Sequence, residues 1–339
     1  MNILFIGGSL NQTSMMHKIA RHLSSHDCYF TPYYADGFIH FLTRLGFLKN
    51  TILGGRHYRD TIQYLEENDL PIDLRGKLRN YDLVVTGSDA IIQNNVKNSR
   101  IILVQEGMTE PEGLLFHLVR FLKLPRWMGN TSTTGLSNAY DTFCVASDGY
   151  KELFIKKGVY PEKLVTTGIP NFDNLANIPD SNFPYRNHVL VATTPFRETM
   201  RPELRPLFIR KCVEIADQRQ LIFKLHPLEN APRAIREINR FAPNALVFWR
   251  GNVNAMMLHA DAVITQWSSS TFVALALGKK VYSDLDINTL KRIMPIQNEG
   301  KSAQSIARVC QSVLDTPLST LLHKREDQRI QHLHQIFDF

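Results

Sequence analysis

Asp261-Ala262-Val263-Ile264-Thr265-Gln266-Trp267-Ser268-Ser269-Ser270-Thr271-Phe272-Val273-Ala274-Leu275-Ala276-Leu277-Gly278 reads as a buried strand, a hydroxyl-rich turn and an apolar helix in series. A short continuous apolar run marks a strand covered on both faces, and its passage straight into a helix is the βα unit of a parallel sheet. The Ser/Thr run stands where it can cap the helix, and helix N-termini offer free N–H groups to anions. Ser268, Ser269, Ser270 and Thr271, with Gln266 at the strand end, are therefore expected to hold phosphates, although one hydroxyl suffices as a cap. Upstream, Lys224-Leu225-His226-Pro227 closes another strand. Pro227 restricts His226 to an extended backbone. The imidazole then stands at the carboxyl edge of the sheet, where it can donate to a phosphate oxygen or a sugar hydroxyl.

Working outward, the same alternation fills the chain. Strands are expected at 188–192, 220–225, 245–248, 262–265 and 280–283, with helices at 202–218, 231–241, 253–259, 270–277 and 302–315. The first half gives strands at 2–6, 82–86, 101–105, 142–146 and 164–167, and helices at 13–25, 58–68, 112–123 and 148–157. Between the halves lies a proline-rich stretch, expected to be a linker over 177–187. The expectation is an α/β protein of two Rossmann-like parallel-sheet domains facing across a cleft, over 1–176 and 188–320. A C-terminal helix over 321–339 would pack back on the first domain. Open α/β sheets bind ligands at the carboxyl ends of their strands.

Composition agrees. The 339 residues are about twice a usual domain, and 44% hydrophobic with 21% charged is ordinary for a folded chain. No apolar run reaches the roughly 18 residues of a membrane span. Met1-Asn2-Ile3-Leu4-Phe5-Ile6-Gly7-Gly8 reads as a strand entering a glycine turn, not as a signal peptide. Four scattered cysteines without CxxC spacing fit a reduced, cytoplasmic setting. Residues 1–176 hold 18 Lys+Arg against 17 Asp+Glu, and 177–339 hold 21 against 15, so the net charge of +7 lies mostly in the second half. That excess suits a phosphate-bearing ligand. No zinc finger, helix-turn-helix or RRM-like aromatic pair argues for nucleic acid.

Further candidates sit at other strand ends. Thr193, Thr194 and Arg197 follow 188–192 and suit a nucleotide phosphate. Gly7-Gly8-Ser9-Leu10-Asn11-Gln12-Thr13 follows the first strand; its glycines would let a ligand approach the backbone, with Ser9, Asn11, Gln12 and Thr13 as ligands for sugar hydroxyls. It lacks both GxGxxG and GK[ST], so it is neither a dinucleotide fingerprint nor a Walker loop. Gln105-Glu106-Gly107 ends another strand, and a partly buried glutamate is a competent base; His17 is the second base candidate. The run from Met108 to Trp127 is apolar with basic interruptions and would either face the core or touch a membrane surface.

The K-x-H-P strand end, the run from Asp261 to Ser269 and the small-residue helix ending in Gly278-Lys279-Lys280-Val281 together resemble the C-terminal half of bacterial GT-B glycosyltransferases. The likeness is nearest to CDP-glycerol glycerophosphotransferases and to HP-motif Kdo and sialic-acid transferases. Thr167-Gly168-Ile169-Pro170-Asn171-Phe172-Asp173 resembles a run found before the interdomain linker in that superfamily. The resemblance implies that His226, Ser268 and Ser269 bind the nucleotide phosphates of an activated donor. It also implies that Glu106 stands where teichoic-acid enzymes carry a histidine base, and that Gly8 to Thr13 lie on the acceptor side. The acidic residue many such enzymes carry after the serine pair is replaced here by Val273 and Ala274. Asp284 or Asp286 would take its place, and Asp284-Leu285-Asp286 is too short a pattern to argue for metal.

The function expected is transfer of a sugar or related group from a CMP-, CDP- or UDP-activated donor to a glycan or lipid-linked glycan, without metal or resident cofactor and with inversion. Peripheral contact with the inner membrane face is compatible with it. Two alternatives stay open: an isomerase like UDP-N-acetylglucosamine 2-epimerase, needing paired carboxylates, and a non-catalytic nucleotide- or glycan-binding module.

Overall fold

The computed structural model describes residues 1–48, 51–110, 112–122, 126, 131–179, 182–199 and 201–337. The chain forms two compact units, Met1–Asp173 with Pro295–Phe339, and Asn174–Met294. The first contains β1 (Asn2–Gly7), α1 (Leu10–Ala20), β2 (Asp27–Pro32), α2 (Gly37–Arg44), α3 (Gly55–Glu67), β3 (Leu83–Thr86) and β4 (Arg100–Val104). There follow α4 (Leu114–Phe121), β5 (Thr142–Val145), α5 (Asp148–Lys157) and β6 (Leu164–Thr166). Its sheet is parallel, in the order β2-β1-β3-β4-β5-β6. Ile3 to Ile6, Leu83 to Val85, Ile101 to Val104 and Phe143 to Val145 are all buried. Such runs form strands because each side chain has helices to pack against on either face.

The second unit holds β7 (His188–Ala192), α6 (Arg205–Ala216), β8 (Leu221–Lys224), α7 (Ala231–Phe241), β9 (Leu246–Phe248), α8 (Val253–Leu258), β10 (Ala260–Thr265), α9 (Ser270–Ala276), β11 (Lys280–Tyr282) and α10 (Ile287–Ile293). This sheet is also parallel, ordered β11-β10-β7-β8-β9. Val189, Val191, Phe223 and Ile264 pack with Ile209 and Cys212 of α6 and Ile238 of α7. In each sheet the strand order reverses once, between β1 and β3 and between β7 and β10. Ligands of open α/β sheets gather at such switch points.

The unit boundaries differ from the sequence reading. Residues 295–320, expected in the second domain, belong to the first, where α11 (Ser302–Asp315) packs on α1 and β4. Asp173 explains this: its Oδ2 accepts from Ser302 N at 2.8 Å, and its carbonyl accepts from Asn298 N and Glu299 N. A carboxylate from another segment thus caps α11. Gly168, at φ +80°, is held close to the same helix, since a Cβ there would lie 2.2 Å from Ser302 Oγ. Asn171 Nδ2 donates to Asn11 O at 2.9 Å and Asn11 Oδ1 at 2.8 Å. The run from Gly168 to Asp173 is therefore a brace between α1 and α11. α12 (Leu318–Phe337) is tied to the same unit by Arg325, which donates to Asp141 Oδ1 at 2.6 Å and Ser99 O at 2.6 Å. The expected linker is not free chain either. Phe183 and Tyr185 pack edge-to-face against Phe248 within the second unit, while 180 and 181 lie outside the described residues.

Candidate functional site

At the switch point of the second sheet, Ala192 of β7 stands opposite Thr265 of β10. Thr194, Thr265 and Gln266 are buried beyond these strand ends. Thr194 Oγ1, Thr265 Oγ1 and Gln266 Oε1 have no hydrogen-bond partner among the described residues. Buried polar atoms are ordinarily satisfied, so a cluster of orphans at a switch point marks a place for a polar ligand.

His226 lies beside it, at the end of β8. Its amide donates to Thr193 Oγ1 at 3.1 Å and Glu229 Oε2 at 2.8 Å. Its Nδ1 accepts from Leu228 N at 3.2 Å, and burial lowers its pKa. A neutral ring accepting at Nδ1 carries its proton on Nε2, so hydrogen-bond logic leaves an outward N–H donor. Pro227 is exposed and only turns the chain. The sequence reading passed over Trp249, at the end of β9. Its ring is half exposed with the Arg250 guanidinium 4.2 Å above it, and Phe248 O accepts from Leu225 N at 2.8 Å, tying it to the His226 turn. An exposed aromatic directly after an apolar strand was the available signal.

Several expected ligands are committed elsewhere. Thr193 Oγ1 is bound to Glu229 and to Lys224 O, so it orders the turn and faces no ligand. Arg197 donates twice to Glu237, at 2.7 Å each, and approaches Glu203 at 3.3 Å; the Glu237 bonds hold its pKa up. It is the end of a buried chain in which Arg205 joins Glu203 to Glu229. An arginine already held bidentately has no fork left for a phosphate. Thr271 is fully buried and donates to Ser268 O at 2.7 Å. Ser268 Oγ accepts from Ser270 N at 3.2 Å, whereas Ser269, the N-cap residue, caps nothing with its side chain. α9 has only seven residues, so its dipole is short, and an anion at this turn would rest on the Ser269 and Ser270 hydroxyls instead. Val273 and Ala274 are buried in α9. Asp286 caps α10 through Thr289 N at 2.8 Å, and Asp284 is exposed.

Asp284 rims a pocket of about 590 Å³ lined also by Thr265, Gln266, Glu203, Phe208 and Tyr282. Its size lies within the usual span for small-molecule sites. Glu203 Oε1, on its wall, is a further buried atom without a partner among the described residues.

In the first unit the structure brings Glu106 together with the glycine turn. Ser9 Oγ donates to Glu106 Oε1 at 2.7 Å, Gln12 Nε2 to Oε2 at 2.6 Å and Asn11 Nδ2 to Oε1 at 3.3 Å. Ser9 also caps α1 by accepting from Gln12 N at 3.1 Å. The carboxylate is thus held by the side chains of the N-cap and first turn of α1. Ser9, Asn11 and Gln12 are its holders before they are ligands of anything else. On the Cβ side of the two glycines there is no open space. A Cβ on Gly7 would lie 2.6 Å from Thr13 Oγ1, and one on Gly8 2.9 Å from Gln12 Oε1. Thr13 is buried, donating to Ser9 O at 2.8 Å. His17 does not join Glu106. It is buried between α1 and α3, with Nδ1 3.1 Å from Tyr64 OH and Nε2 accepting from Arg21 Nε at 3.2 Å, and burial lowers its pKa. That is a packed histidine. In the 108–127 run, Phe116 and Val119 of α4 face the core and Phe121 is exposed; 111, 123–125 and 127 lie outside the described residues.

No family model matches the chain, and no curated protein matches it. Solved structures do. It is similar to UDP-GlcNAc 2-epimerase from Neisseria meningitidis bound to UDP-GlcNAc, with TM-score 0.54 and 12% identity over 92% of this chain and 100% of that one. The Methanocaldococcus jannaschii UDP-GlcNAc 2-epimerase, in complex with UDP-GlcNAc and UDP, gives 0.53 and 15% over 92% and 100%. The wall teichoic acid polymerase TagF, soaked with CDPG, gives 0.53 and 13% over 92% and 89%. These likenesses establish the fold, two parallel-sheet units of the GT-B type.

Proposed function

We propose that the chain is a GT-B glycosyltransferase of surface-polysaccharide assembly, using a nucleotide-activated donor as co-substrate and a glycan or lipid-linked glycan as acceptor. The observation that carries the reading is the set of groups without a partner among the described residues at the second switch point, Thr194, Thr265 and Gln266, with the outward His226 Nε2–H beside them. Such a set fits a diphosphate and its sugar. In this reading His226, Ser268, Ser269 and Ser270 take the departing phosphates, Asp284 the sugar side, and Trp249 offers a face to the base. Glu106 removes the acceptor proton as the hydroxyl attacks the anomeric carbon, and inversion follows from a single displacement. Ser9, Asn11 and Gln12 hold it in place. The nucleotide sugars bound by the structural neighbours support a nucleotide-linked donor.

Glu106→Gln tests the chemistry. It keeps size and polarity but cannot take a proton, so transfer should fall by about 10²–10⁴-fold while nucleotide affinity stays level. Transfer at the wild-type rate removes Glu106 as the base. The epimerase neighbours favour one second reading. Proton NMR of UDP-GlcNAc incubated with the protein, without acceptor, decides it: appearance of the C2 epimer replaces transfer by isomerisation.

A further inference from the structure

α2 is an amphipathic helix mounted with its apolar side outward. Phe38, Phe41 and Leu45 recur at helical spacing, and they are 69%, 55% and 56% exposed; Phe47, just beyond, is 73% exposed. No residue of the helix is buried. Its inner side, through His40 and Thr43, borders a pocket of about 350 Å³ with Tyr33, Tyr34 and Leu53 on its far walls. The fold therefore gains little from this stripe, and contiguous exposed apolar groups of this size mark an interaction surface.

The charges around it say what it meets. From Gly37 to Arg59 the sequence carries Arg44, Lys49, Arg56 and Arg59 and no carboxylate. The flanking acids are occupied, Asp36 by Arg75 and by Asn94 N, Asp60 by Arg56. A second copy docked stripe to stripe would bring together two surfaces with the same excess of cations. An anionic bilayer accepts both features, with the aromatic stripe in the acyl boundary and the cations among headgroups.

We propose that α2 docks the protein onto anionic lipid surfaces. The inference goes beyond the sugar-transfer reading and does not depend on it. Co-sedimentation of the full chain with phosphatidylcholine vesicles, plain or doped with phosphatidylglycerol, tests it. The wild type should bind the doped vesicles, and less so as salt rises. Phe38→Ser/Phe41→Ser/Leu45→Ser together should lower that binding by about tenfold or more. The thermal midpoint and nucleotide affinity should hold, because the stripe supports neither. Arg44→Glu, a single exposed change, should reduce binding to doped vesicles even if the triple variant folds poorly. Wild-type protein that binds neither vesicle, or variants that sediment like the wild type, overturn the proposal. So does a wild-type dimer that the triple variant makes monomeric without any vesicle binding.

Discussion

His226→Ala separates ligand contact from scaffold in the second unit. The side chain makes one hydrogen bond inside the protein, to the Leu228 amide at 3.2 Å, at an exposed turn. Its loss there should cost about 1 kcal/mol or less, since water replaces it. Toward a phosphate the same ring offers a neutral Nε2–H to a charged acceptor, a bond worth about 1.5–3 kcal/mol, or about 10- to 150-fold in affinity. Arg197→Ala is the counterpart. Its guanidinium is spent on Glu237 and Glu203, so nucleotide affinity should stay within about twofold. Its loss should cost about 1–3 kcal/mol of stability by leaving Glu203 short of a partner. The assay is calorimetric titration with whichever of CMP, CDP, UDP or GDP raises the thermal midpoint most, beside urea unfolding of each variant. Because the ring is already neutral, affinity should be flat between pH 7 and 8. Unchanged affinity in His226→Ala, or abolished binding in folded Arg197→Ala, refutes the reasoning.

Two further outcomes follow from the packing. Burial lowers the pKa of His17, His188 and His226 below the ordinary 6.5. Below that value the unfolded chain takes up more protons than the native one, so stability is full above about pH 6.5 and falls as pH drops toward the native values. Urea midpoints that rise on acidification from pH 7 to 5.5 would contradict this, and His17→Gln should flatten part of the decline. Gly168→Ala combines a left-handed backbone with a Cβ 2.2 Å from Ser302 Oγ and 2.8 Å from Ile296 Cγ1. It should cost about 2–4 kcal/mol in the first unit, and a variant as stable as wild type would show that the brace to α11 is dispensable.

The strands buried on both faces are legible in the sequence because nothing but a parallel sheet uses such runs. β2 escapes that reading: Asp27-Cys28-Tyr29-Phe30-Thr31-Pro32 has few aliphatic residues and ends in proline, both tolerable because it is an edge strand. α11 shows the other limit. Its periodicity announces a packed helix, but which core receives it is decided by Asp173, far away in sequence. The site divides the same way. Strand ends point to His226, Gln266 and Glu106, since topology alone places them. Whether a side chain is free at that end depends on what reaches it first. Glu237 reaches Arg197, Glu229 reaches Thr193, and Tyr64 reaches His17. None of these partners is adjacent in sequence.

The carboxylates make the same point about mechanism. Glu203 and Glu229 share Arg205, and Asp286 caps α10. In the first unit Asp89 accepts from Gly135 N and Ser137 N, each at 2.9 Å, and Asp36 is paired with Arg75. Each of these acids has a partner that loses by its removal, and of them only Glu203 keeps a buried oxygen without a partner among the described residues, on the wall of the pocket. Glu106 differs in kind. Its three holders are the neutral side chains of Ser9, Asn11 and Gln12. In the proposed transfer this carboxylate would move one proton, from the acceptor hydroxyl. Isomerisation at carbon needs a second group to return the proton. The choice between transfer and isomerisation therefore turns on whether UDP-GlcNAc is epimerised at C2 in the absence of an acceptor.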